Sequence, residues 1–198
     1  MIGGIGLVVC GVLVMLGTTI LGMSGGPALY VVSSVIYAAA VLLFAIGTTA
    51  QASVVARRPL GVTAMTILAV WPLVDRIVFQ FLPQDGSSLG AWTTLGYVTL
   101  VVETGAALVA AMQIARAGVV PARWRWAPLW VLASQAFAWA LPQIFFVSAG
   151  PGEIQRWTDL YFLFGALAGL AGTLGLGILA LVLAAQQRPE TVEVFRSA

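Results

Sequence analysis

LGVTAMTILAVWPLVDRIVFQFL, residues 60–82, sets one aspartate beside one arginine in a run that is otherwise uncharged. The length and apolarity of that run fit a membrane-spanning helix. The same texture recurs on both sides of it. The full chain of 198 residues is 61% hydrophobic and 8% charged, with a mean hydropathy of +1.02. A soluble domain carries about 25% charged residues and about 45–50% apolar ones. A soluble fold of this size could not cover so much apolar surface with so few charges.

Six apolar blocks follow one another: about Ile2–Gly22, Ala28–Ala50, Leu60–Leu82, Trp92–Ala115, Ala127–Ala149 and Leu160–Ala185. Turn-forming segments separate them, among them MSGGP (23–27), ARRP (56–59), LPQDGSSLG (82–90), RAGVVPARWRW (116–126) and SAGPGE (148–153). Loops this short make neighbouring helices antiparallel and leave no room for a second domain. The expected fold is therefore all-α: a polytopic membrane bundle of six transmembrane helices, one domain over residues 1–185. A short polar cytoplasmic tail follows at 186–198. The first block lacks a positive leader region and a small-x-small cleavage site, so it is expected to be retained rather than removed as a signal peptide.

Arginine placement sets the expected orientation. Arg57, Arg58, Arg116, Arg123, Arg125, Arg188 and Arg196 lie in one set of loops and the tail. Only Arg156 lies in the other set, beside Asp85, Glu153 and Asp159. Positive residues resist translocation and collect in the cytoplasm, so both termini are expected there. Trp124, Trp126 and Trp130 would mark the inner interface, and Trp92 and Trp157 the outer one. The lysine-free, arginine-using, Ala/Gly/Val-rich composition resembles that of a high-GC bacterium, which points to a bacterial inner membrane.

Composition also excludes chemistry. The chain has no histidine, which removes His-ligated haem, His-bound zinc or iron, and any His-based triad. The lone Cys10 has no second cysteine with which to build a disulfide or a thiolate site. Neither a metal nor a cofactor is expected. The net charge of +2 is too small and scattered for a nucleic-acid footprint.

The charges inside the spans are the candidate site. On a helix with a 100° step, Thr66, Pro72, Asp75, Arg76, Phe79 and Gln80 share one half of the third span. Val70, Val74, Ile77, Val78 and Phe81 share the opposite, lipid-facing half. Glu103 shares a face of the fourth span with Gly96, Thr99, Ala107 and Ala110. The fifth span presents Gln135, Trp139, Pro142, Gln143 and Phe146 together. These three faces are expected to look at one another. At about 1.5 Å per residue, Asp75, Arg76 and Gln143 lie roughly 10 Å below the outer end of their spans, and Glu103 near mid-membrane. The polar cluster is thus expected in the outer half of the bilayer, around a cavity opening outward or sideways.

An isolated charge at such depth costs about 2.5–3.5 kcal/mol. Arg76 is accordingly expected to pair with Glu103, and Asp75 to bond to Gln80, Gln143 or a threonine. The predicted ligand-binding set is Asp75, Arg76, Gln80, Glu103, Gln135, Trp139 and Gln143. Three readings follow from it. The first is binding or transport of a small amphipathic or lipidic molecule, with Arg76 taking an anionic group. The second is an accessory subunit of a larger membrane complex, in which the buried charges are structural. The third is an intramembrane enzyme using Asp75 or Glu103 as a general acid on a lipid-soluble substrate. In the last span, GALAGLAGTLGLG (165–177) brings Gly165 and Gly169 into a G-x-x-x-G pair with Gly172 nearby. Small residues four apart let helices approach closely in lipid, either within the chain or across a homodimer.

Overall fold

The computed structural model describes residues 2–19, 26–47, 53–81, 89–148 and 163–186. Among these residues all regular structure is helical: α1 (Ile2–Thr19), α2 (Gly26–Ile46), α3 (Pro59–Phe81), α4 (Leu89–Ala117), α5 (Ala127–Ser148) and α6 (Leu163–Gln186). Three of them are long and apolar enough to cross a membrane: Pro59–Phe81, Gly90–Ala117 and Leu163–Gln186. The apolar stretches described in the others are shorter, Ile2–Leu16, Val31–Ile46 and Ala127–Leu141. The tail beyond Gln186 lies outside the described residues, as do Asp85, Glu153, Arg156, Trp157, Asp159, Arg188 and Arg196.

The helices follow one another around a ring. α1 packs on α2, α2 on α3 and α3 on α4, while α6 returns to α1. α5 joins α4 to α6 over much less of its length. The buried core lies on the α1–α4 side, where Leu7, Ala38, Ala40, Val41, Ala45, Ala64, Met65, Ala69, Ala110 and Ile114 meet. Most of these side chains are a single methyl group, so the helix axes come close and gain contact along the backbone itself. Large apolar side chains point the other way. Val70, Val74, Ile77, Val78 and Phe81 are all exposed, so the stripe read from the sequence of the third span is an outer face. So much exposed aliphatic surface is what a lipid-facing exterior requires.

α6 packs on α1 through glycine. A Cβ built on Gly177 would meet the backbone nitrogen of Val8 at 3.0 Å and the carbonyl oxygen of Gly4 at 3.1 Å. The residues of the predicted G-x-x-x-G pair behave differently. A Cβ on Gly165 or Gly169 meets nothing within 4 Å, while one on Gly172 would meet the Gln135 amide nitrogen at 2.9 Å. The same helix contains a π-turn at Ala171–Gly175. Such turns insert one extra residue into a helix and shift the faces on either side of it.

Gly47 and residues 53–58 lie at one end of the bundle, between α2 and α3. Gly47, at φ +65°, ends α2 in the left-handed conformation that glycine adopts without strain. Ser53 and Val55 then tuck back and are fully buried. The Ser53 hydroxyl donates to the Ala45 carbonyl at 2.6 Å and accepts from the Arg57 backbone N–H at 3.1 Å. Arg57 Nε donates to the Ile46 carbonyl at 3.0 Å. To make these bonds, Ala56 and Arg57 both sit at φ +51°, where a Cβ crowds the following carbonyl. Ala56→Gly removes that strain and should stabilise the protein by about 0.5–1 kcal/mol. A higher melting temperature in detergent is the readout; a lower one would show that this backbone is not strained.

Candidate functional site

All six helices border a central cavity of about 1300 Å³. Its wall is mainly apolar, drawn from Leu7 of α1, Val41 and Phe44 of α2, Leu68 and Pro72 of α3, and Ala107 and Ala111 of α4. Leu132 of α5 and Leu176 of α6 continue it. Four larger polar or aromatic groups interrupt this surface: Tyr37, Glu103, Gln135 and Trp139. α6 contributes Gly169, Gly172 and Thr173, so the π-turn forms part of the wall.

Three of the predicted site residues therefore share one cavity: Glu103, Gln135 and Trp139. Asp75, Arg76 and Gln80 are not among its described lining residues. Asp75 instead faces α4, accepting a 2.5 Å hydrogen bond from the Thr99 hydroxyl. Thr99 in turn accepts a bond from the Trp71 indole N–H at 3.3 Å. The chain Trp71–Thr99–Asp75 fastens α3 to α4, and threonine is one of the partners the sequence offers Asp75. Gln80 is exposed and Arg76 is half-buried. Gln143 lies within α5, but its side chain is outside the described residues.

The expected pairing of Arg76 with Glu103 is replaced by a different neighbourhood. Among the described residues, Asp75 and Tyr37 of α2 are the neighbours of Glu103 close enough for an electrostatic effect. Arg76 follows Asp75 on the helix and is half-buried, with its Nη1 atom buried. Among the described residues Glu103 makes no hydrogen bond or ion pair, so its half-buried carboxylate is open to the cavity.

The direction of the cavity also differs from expectation. Its wall runs from the middle of the helices to the end that carries Ile2, Gly47, Val54, Val119, Pro121, Trp124 and Ala184. That end holds Arg57, Arg58, Arg116, Arg123 and Arg125. The depth of charged residues says where polarity lies along a helix. It does not say where neighbouring helices diverge. At this end Trp124, Trp126 and Trp130 are exposed, and the Arg125 guanidinium lies 5.6 Å from the Trp126 ring centroid. The rings of Phe79 and Trp92 meet across α3 and α4 at a 45° tilt, with centroids 4.8 Å apart.

Sequence reasoning passed over Tyr37. It sits in an apolar helix with no charge nearby in sequence, and only the packing of α2 against the cavity brings it to Glu103. Among the described residues no group of acids and cysteines could hold a metal ion. Comparison with family models, with curated proteins and with solved structures found no match to this chain, so the reading of the site stands on its own geometry.

Proposed function

We propose that this chain is a six-span membrane protein, both termini cytoplasmic, that binds or transports a small amphipathic or lipidic molecule in its central cavity. The observation that carries this reading is the cavity of about 1300 Å³, largely apolar, bordered by all six described helices and holding the open carboxylate of Glu103. Ligand sites are commonly clefts of about 300–1,000 Å³ with apolar walls and a few convergent polar groups. A space above that range suits a molecule with a long or bulky hydrocarbon part. The thin contacts of α5 with α4 and α6 offer a lateral way in from the bilayer.

The arginines at the cavity end support the cytoplasmic assignment by the positive-inside rule. A half-buried carboxylate with no hydrogen bond or ion pair among the described residues favours a binding role over a purely structural one, because an ionisable group in a span is costly unless something uses it. A homodimer through the small-residue face of α6 remains part of the proposal, with Gly165 and Gly175 among the residues whose added Cβ would meet open space.

Gly169 provides the test. It lines the cavity, and a Cβ there meets nothing within 4 Å. Gly169→Phe should set an aromatic ring into the cavity and obstruct it, starting from a position where a Cβ meets no neighbour. Wild-type protein extracted in native lipid should carry a small molecule or lipid near one per chain by mass spectrometry. The variant should lose most of it while keeping its melting temperature. Equal retention by both proteins, or a stoichiometric protein partner with no ligand, would overturn the reading.

A further inference from the structure

From the charge and ring content of the cavity we infer that its ligand is a lipophilic organic cation, an ammonium- or phosphonium-type charge carried on a hydrocarbon body. This deepens the binding function proposed above and rests on it. Among the described lining residues Glu103 is the one acid, and no arginine lines the wall. The sequence reading gave Arg76 the task of holding an anionic group, but Arg76 is absent from that lining. Among the described lining residues, what a ligand meets is one carboxylate without a protein partner and otherwise neutral groups.

Three features match a cation. A carboxylate in a medium of low dielectric attracts a positive charge far more strongly than it would in water. Tyr37 and Trp139 line the same space, and the faces of aromatic rings attract organic cations, with tryptophan the strongest. The rest of the wall is aliphatic, including Leu7, Val41, Leu68 and Leu176, and takes hydrocarbon. An anion of the same shape would find the hydrocarbon surface but would face the Glu103 carboxylate. Between an anion and a cation, the cation is the one that this wall attracts.

The test compares tetraphenylphosphonium with tetraphenylborate, which share size and shape and differ in the sign of the charge. Each is titrated calorimetrically into the full chain in nanodiscs of zwitterionic lipid, with empty discs subtracted. Tetraphenylphosphonium should saturate at one per chain, and tetraphenylborate should show no saturable component. Glu103→Gln should weaken tetraphenylphosphonium about tenfold or more, and Glu103→Asp should restore part of the affinity. Gly169→Phe should abolish it, which places the site in the cavity. Equal or tighter saturable binding of tetraphenylborate would overturn the inference, and so would affinity unchanged in a folded Glu103→Gln. The wild-type comparison of the two ions decides the matter even if Glu103→Gln fails to fold. Should a molecule co-purify in the cavity while tetraphenylphosphonium does not bind, the cation inference falls and the binding function stands. Should neither bind, both fall.

Discussion

Gly177→Leu should cost about 3 kcal/mol or more and separate α6 from α1. The site leaves no room for relaxation. A Cβ at Gly177 would lie 3.0 Å from the Val8 backbone nitrogen and 3.1 Å from the Gly4 carbonyl oxygen. Backbone cannot step aside as a flexible side chain can, so the two helices must move apart along their whole contact. Overpacking a well-packed core typically costs about 1–3 kcal/mol, and contact against backbone belongs at the top of that range. The contact is reciprocal, since a Cβ on Gly4 would lie 3.1 Å from the Gly177 carbonyl oxygen. Gly169→Phe on the same helix should be tolerated, because a Cβ there meets open space. Thermal unfolding in one detergent, measured for both variants, is the check. A melting temperature for Gly177→Leu close to that of wild type would refute the glycine contact between α1 and α6.

Thr99→Val should destabilise the protein by about 1–3 kcal/mol, the range for leaving buried polar groups unsatisfied. Thr99 is nearly the size of valine, so the change removes hydrogen bonds and little volume. It leaves Asp75 without the 2.5 Å donor and Trp71 Nε1 without its acceptor at 3.3 Å. Interhelical hydrogen bonds in membranes average only about 0.6 kcal/mol, so a loss well above that would mark the bond to the carboxylate as the main contribution. A double-mutant cycle of Thr99→Val with Asp75→Leu isolates the term. Additive losses would mean that the two residues are not coupled. Thr99→Ser keeps the hydroxyl and should restore most of the stability.

Several features of the site were legible in the sequence because they depend on what lies beside what on one helix. The outer face of α3, read from the positions of Val70, Val74, Ile77, Val78 and Phe81, is the exposed one. Thr99 was already placed on the face of α4 that carries Glu103. Helical periodicity fixes such relations without knowledge of any neighbour. Tyr37 and the actual neighbours of Glu103 were not legible. They depend on the rotation of α2, α3 and α4 about their own axes, and apolar helices in an apolar solvent carry little amphipathic signal to set it. The glycines of α6 make the same point. Gly165, Gly169, Gly172 and Gly177 are alike in sequence, yet Gly177 meets backbone, Gly172 meets Gln135, and the other two meet open space.

By itself, the sequence determined that the chain is helical and rich in apolar membrane-length segments, where its few charges lie along those segments, and what chemistry the absence of histidine removes. These follow from composition and from spacing along one strand of chain. Only the tertiary structure decided that Asp75 bonds to Thr99 rather than facing the cavity, that Glu103 is left open beside Tyr37, and that the cavity reaches the arginine-bearing end. The physical reason is that methyl-sized and hydrogen side chains let α1, α2, α3 and α4 close on one another while α5 stays loosely held. The space between helices is a property of how such faces sum around the ring, and no single span contains it.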